Sequence, residues 1–126
     1  MKCNNWIGPA IAVAIALTAQ ASVAQDRRFA DGRYVGPGDG GDIEITVSNG
    51  IASALVVSQG CIGQIDGRTV RVSDDLWEIV AIDADGCVLS LQRDGSRSFE
   101  VRESRECIIY HGASCGFFGY VSKAGQ

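Results

Sequence analysis

Hydrophobic and polar positions alternate with a period of two along most of this chain. Ile43, Ile45 and Val47 are interleaved with Glu44, Thr46 and Ser48; Leu89 and Leu91 follow Cys87 in the same alternation, and Phe99 and Val101 flank Glu100. A period of two puts one face of an extended segment in a core and the other in water, so these stretches predict half-buried strands. Asn49-Gly50 separates the first strand from its return over Ile51 to Ser58, and both residues tolerate the positive φ that a tight hairpin needs. Asp66-Gly67, Ser73-Asp74-Asp75, Asp83-Ala84-Asp85-Gly86 and Asp94-Gly95-Ser96 read as further turns. Cys107 to His111 and Cys115 to Ser122 are expected to form the last strand pair. Downstream of the leader described below, no segment carries an apolar stripe at helical spacing. Turns recurring at about 8–12 residues between short strands predict an all-β domain, a small antiparallel β-barrel or sandwich of about 7–8 strands. A barrel has the advantage that closure removes exposed edges.

The N-terminal end follows a different pattern. Lys2 precedes an apolar run from Ile7 to Leu17, and small residues stand at Ser22 and Ala24. This arrangement predicts a secretory signal peptide over residues 1–24, cut after Ala24, and hence an exported, periplasmic chain. The run is too short to span a bilayer. Cys3 lies ahead of it, whereas a lipidated cysteine would follow it, so no membrane anchor is expected. Residues 25–41 are glycine-rich and read as a largely irregular N-terminal arm, with Arg33-Tyr34-Val35 as a short strand. The β-domain is placed over residues 42–126.

Export changes what the cysteines can do. Cys61, Cys87, Cys107 and Cys115 remain after processing, an even number in an oxidising compartment, and they predict two disulfides. Four cysteines allow three pairings, among which the sequence does not choose; the preferred one closes the short loop Cys107–Cys115 and joins Cys61 to Cys87. Their spacing lacks the C-x-x-C or His/Cys clustering of a metal site, and no metal or cofactor is expected. Loss of Lys2 with the leader takes the net charge from −4 to −5. An acidic domain is a poor ligand for nucleic acid or anionic lipid and suits a basic protein better.

Candidate chemistry is sparse. Gly112-Ala113-Ser114-Cys115-Gly116 has the spacing of a nucleophile elbow, but that motif works at a strand-to-helix turn of a parallel sheet with its histidine downstream. Here the sole histidine, His111, precedes Ser114 and no βαβ unit is present, so the stretch reads as a loop and no enzyme is expected. Asp83-x-Asp85-Gly86 lacks the remaining ligands of a calcium loop. Asp74-Asp75 reads as a solvated turn, and Trp77, in an apolar strand, as core. In Phe117-Phe118-Gly119-Tyr120 the two phenylalanines cannot share a face of a strand, so one of them, Phe118, is a candidate exposed anchor for a protein partner.

Glu103-x-x-x-Cys107-x-x-Tyr110-His111-Gly112-Ala113-Ser114-Cys115-Gly116-Phe117-x-Gly119, preceded by Gly60-Cys61-Ile62-Gly63-Gln64-Ile65-x-Gly67, resembles the periplasmic inhibitors of c-type lysozyme in the form found in Brucella-like bacteria. The resemblance covers residues 31–122 and implies a β-barrel that inserts a loop into the substrate cleft of lysozyme. Lysozyme is basic, which would steer an acidic inhibitor toward it, and its cleft carries two catalytic carboxyl groups. Two segments are then candidate tips: the turn carrying Ser96, Arg97 and Ser98, where Arg97 has the fork geometry to pair a carboxylate, and the loop carrying Tyr110, His111 and Ser114. The chain departs from the family in having no Ser-Gly dipeptide after residue 24. The alternative expectation is a non-catalytic binding, immunity or envelope-structural β-domain. A homodimer is compatible with either.

Overall fold

A computed structural model of the chain describes residues 28–83 and 85–125. The expected leader and its cut after Ala24 lie outside the described residues. Eight strands run β1 (Gly32–Gly38), β2 (Gly41–Ser48), β3 (Ile51–Ser58), β4 (Cys61–Arg71), β5 (Leu76–Ala81), β6 (Val88–Arg93), β7 (Ser98–Glu103) and β8 (Gly119–Lys123). A 3-10 helix, Arg105–Tyr110, lies between β7 and β8. Each strand pairs antiparallel with the next, and β8 pairs with β1, so the sheet is a closed up-and-down barrel. The expected all-β class is the one observed.

The alternation seen in the sequence is what fills the barrel. Ile43, Ile45 and Val47 of β2 point inward, facing Val56, Ala54 and Ala52 of β3 in register. Ile65, Ile79, Leu89, Leu91, Val101 and Val121 complete the packing. Eight strands leave an interior just wide enough for such side chains. Asn49 and Gly50 adopt φ of 51° and 78° and make the two-residue β2–β3 hairpin that the sequence predicts.

Three local expectations are corrected. The glycine-rich stretch over 25–41 is not mainly an irregular arm, because Gly32–Gly38 is a barrel strand. Its glycines are needed where the sheet closes: a Cβ on Gly36 would overlap the Tyr120 carbonyl, and one on Gly38 the Phe118 carbonyl. Asp66-Gly67 does not turn the chain, for both residues lie within the 11-residue β4. Gly67 pairs with Ala52 on one side and Ala81 on the other. A Cβ there would meet the Val80 carbonyl oxygen at 2.5 Å, so the residue marks a close approach of backbones in a curved strand. Cys107 to His111 does not form a strand; the barrel closes between β7 and β8 without it, and the segment coils into the 3-10 helix that buries Cys107 alone.

The disulfides join Cys61 to Cys115 and Cys87 to Cys107, not Cys61 to Cys87 and Cys107 to Cys115. The helix turns Cys107 back onto the start of β6, beside Cys87. The loop after the helix then crosses the barrel mouth and carries Cys115 to the start of β4. Both bridges sit at one end of the barrel, which we term the loop end.

The opposite end, termed the turn end, holds the β2–β3, β4–β5 and β6–β7 turns. It is closed by Phe29, whose ring packs on Tyr34 at 5.0 Å, Phe99 at 5.0 Å and Trp77 at 5.4 Å. The Tyr34 hydroxyl donates to the Ala30 carbonyl at 2.8 Å, tying the preceding chain across the opening. Trp77 is core, as the sequence implies.

Candidate functional site: a pinned loop at one barrel mouth

The segment 111–118 connects the 3-10 helix to β8 over the loop end. Glu103, the last residue of β7, organises it from beneath. Its Oε1 accepts the Phe117 backbone N–H at 2.6 Å, and its Oε2 lies 2.9 Å from His111 Nε2. The two side chains are only 5% and 6% exposed. His111 Nδ1 contacts the Gly112 carbonyl, so both ring nitrogens are engaged, and the imidazole stands edge-on to the Phe117 ring at 5.8 Å. Buried polar groups bonded in this way hold one geometry, because leaving any of them unpaired is costly.

Backbone contacts and small residues seat the loop from the sides. The His111 Cβ lies over Gly63 of β4, where any side chain would collide with it. Gly116 N–H donates to the Gly40 carbonyl at 3.4 Å and Asp39 N–H to the Phe118 carbonyl at 2.9 Å. The Cys61–Cys115 disulfide ties the same stretch to β4. What remains exposed is the tip, Gly112, Ala113 and Ser114. Ile108 and Phe118 flank it; Phe118 is 44% exposed, and Ile109 of the preceding helix 68%. A shallow depression of about 370 Å³ runs beside the tip between Ile108 and Phe118. Phe117, by contrast, is fully buried, so the two phenylalanines part to opposite faces as the sequence implies.

Tyr110 is a fixing point rather than a free tip residue. Its hydroxyl donates to the Asp85 carboxylate, locking the helix to the β5–β6 connection. That bond, aided by desolvation and by the charges of Asp85 and Asp83, pushes the phenol from 10.0 up to about 12. The native state therefore holds this proton more tightly than the unfolded chain does. The stabilisation is fully present below pH 10 and is lost as pH rises from 10 toward about 12. Urea-unfolding midpoints across this alkaline range should fall in the parent protein and fall less in Tyr110→Phe.

The residues singled out from the sequence divide between the two mouths. Tyr110, His111, Ser114 and Phe118 gather at the loop end. Ser96, Arg97 and Ser98 lie at the turn end, separated from them by the length of β7, about 17 Å of strand. Ser96 and Arg97 are exposed there, while Ser98 has entered β7 opposite Ser122. The two segments cannot occupy one cleft together. His111 and Ser114 are not joined as a base and nucleophile: the imidazole faces Glu103 and Gly112, and Ser114 points to solvent. Among the described residues no three His, Cys, Asp or Glu side chains converge as a metal set, and no helix is long and apolar enough to cross a membrane.

Sequence reasoning missed Glu103 as the organiser of the loop. Its place in the resemblance motif was the available signal, but nothing in the spacing showed that its carboxylate turns back under residues 111–117. Compared with known proteins, the chain matches no protein-family model, no curated protein and no solved structure.

Proposed function

We propose that this chain is an exported, non-catalytic inhibitor of c-type lysozyme that seats the tip Gly112-Ala113-Ser114 in the enzyme's substrate cleft. The observation that carries the reading is the pinned loop: a disulfide, a buried carboxylate and two glycine contacts hold an exposed tip made of small residues. Rigidity matters because a loop already in its bound shape loses little entropy on docking. Small side chains matter because a saccharide cleft admits a narrow ridge. Ile108, Ile109 and Phe118 would then lie against the cleft walls as apolar anchors. The net negative charge favours encounter with a basic enzyme and acts mainly on the association rate.

The test is clearance of a cell-wall suspension by c-type lysozyme in the presence of the protein. Inhibition is expected, weakening as salt rises. Ala113→Trp should reduce it at least about 30-fold, the scale of a central interface position, without moving the unfolding midpoint, because Ala113 is exposed. Ser96→Trp, at the far mouth, should leave inhibition unchanged. Undiminished lysis at excess protein would reject the reading, and full inhibition by Ala113→Trp would reject the tip assignment.

A further inference from the structure

The turn end carries a second feature that the loop-end reading does not use. A cleft of about 330 Å³ opens there. Among the described residues, four cations line it, Arg28, Arg93, Arg97 and Lys123, and no Asp or Glu does. In a chain with 15 acidic and 11 basic residues, this is a local reversal of sign. A cleft of one sign over low-dielectric walls concentrates its field on whatever enters.

Two of the cations are visibly positioned. The Arg93 guanidinium lies 5.2 Å from the centroid of the Phe99 ring. Its Nη1 donates to the Ser96 carbonyl at 3.3 Å, and its Nε stands 3.5 Å from Asp75 on the far side of the β4–β5 turn. Lys123 is laid down over Gly32: its Cε would be 2.7 Å from a Cβ at that position. The Lys123 backbone N–H donates to the Arg97 carbonyl at 3.2 Å, which sets these two residues side by side.

The floor decides the chemical class. Phe29, Tyr34, Trp77 and Phe99 form it, but none of these rings is more than 6% exposed, because they pack on one another to plug the barrel. Little apolar surface is left for an acyl chain or a stacked ring. Recognition must come from charge and from the planar guanidinium donors, which match oxyanions. The volume is at the small end of ligand sites, many of which occupy barrel mouths.

We propose that the turn-end cleft binds a compact oxyanion of two or more negative charges, phosphate- or carboxylate-bearing, held by Arg93, Arg97 and Lys123 with Arg28 at its rim. The site is independent of the loop end, so loss of one leaves the other testable.

Inorganic pyrophosphate and citrate are the probes, titrated separately at low salt and followed by the amide and indole cross-peaks of the protein. Saturable shifts are expected at Trp77, Phe99, Arg97 and Lys123, fading as salt is added. The tighter of the two probes tells whether the ligand carries phosphate or carboxylate groups. Arg97→Gln and Lys123→Gln should each weaken binding about tenfold, the loss of one charge-assisted hydrogen bond. Lys123→Arg should retain most of the affinity. An unchanged amide spectrum in the variants shows that the barrel is intact. Absence of saturable shifts with both probes, equal shifts at the remote cations Arg68 and Arg102, or full binding by the Arg97→Gln/Lys123→Gln double variant would overturn the proposal.

Discussion

Replacing Cys61 and Cys115 together by serine is expected to lower the unfolding free energy by about 4 kcal/mol. The bridge closes a sequence separation of 54, and its removal returns that loop-closure entropy to the unfolded chain. For a small domain this is a large share of a total stability of about 5–15 kcal/mol. The Cys87→Ser/Cys107→Ser pair, which opens a separation of only 20, should cost less, about 3 kcal/mol. Paired substitution is needed, because a single free thiol would exchange with the surviving bridge. Urea unfolding of both double variants checks the order. If opening the shorter loop proves the more damaging change, chain entropy is not what these bridges contribute. The Cys61→Ser/Cys115→Ser variant should also lose more amide-exchange protection at residues 111–118 than the general fall that lower global stability brings to β1 to β7, since only the loop end is tied by that bond.

Glu103→Ala is expected to be comparably severe, about 3–5 kcal/mol, because it leaves two buried groups without their hydrogen-bond partner, at about 1–3 kcal/mol each. His111 would lose the partner at Nε2, and the Phe117 N–H would face an empty space where Oε1 stood. Glu103→Gln preserves the shape and one acceptor for Phe117, so its cost should fall to about 2 kcal/mol. In the lysis assay that tests the proposed function the same ranking is expected, with alanine worse than glutamine, since the tip keeps its form only while the carboxylate underlies it. Equal midpoints for the alanine variant and the parent protein would show that the loop is held by its disulfide and glycine contacts alone.

Much of the barrel is legible in the sequence. Ile43, Ile45, Val47, Leu89, Leu91, Phe99 and Val101 all point where their alternation placed them, and Asn49-Gly50 turns where its backbone preferences require. The readings that failed share a cause. By sequence, Gly36, Gly38 and Gly67 read as irregular chain or a turn, because glycine is common in both. In the folded molecule they mark places where another backbone comes too close for a side chain, and that closeness exists only once β1 meets β8 and β4 curves between two partners. Cys107-Ile108-Ile109-Tyr110 has the composition of a strand, yet with β7 already paired to β8 there was no edge left for it to join. Of the site, Tyr110, His111, Ser114 and Phe118 were recognised as neighbours in sequence. Their separation from Ser96, Arg97 and Ser98 by a full strand length was not legible, because strand order, not spacing, sets which turns share a mouth.

Period-two patterning, turn residues at short intervals and four cysteines after residue 24 were sufficient to determine an all-β, disulfide-bonded domain, because local backbone preference and the need to bury one face act on neighbouring residues. Which cysteines meet, how Glu103 reaches under the loop, and that four cations crowd one mouth of an acidic protein were decided by the closed sheet. These are contacts between residues tens of positions apart, and only the register of eight strands brings them together.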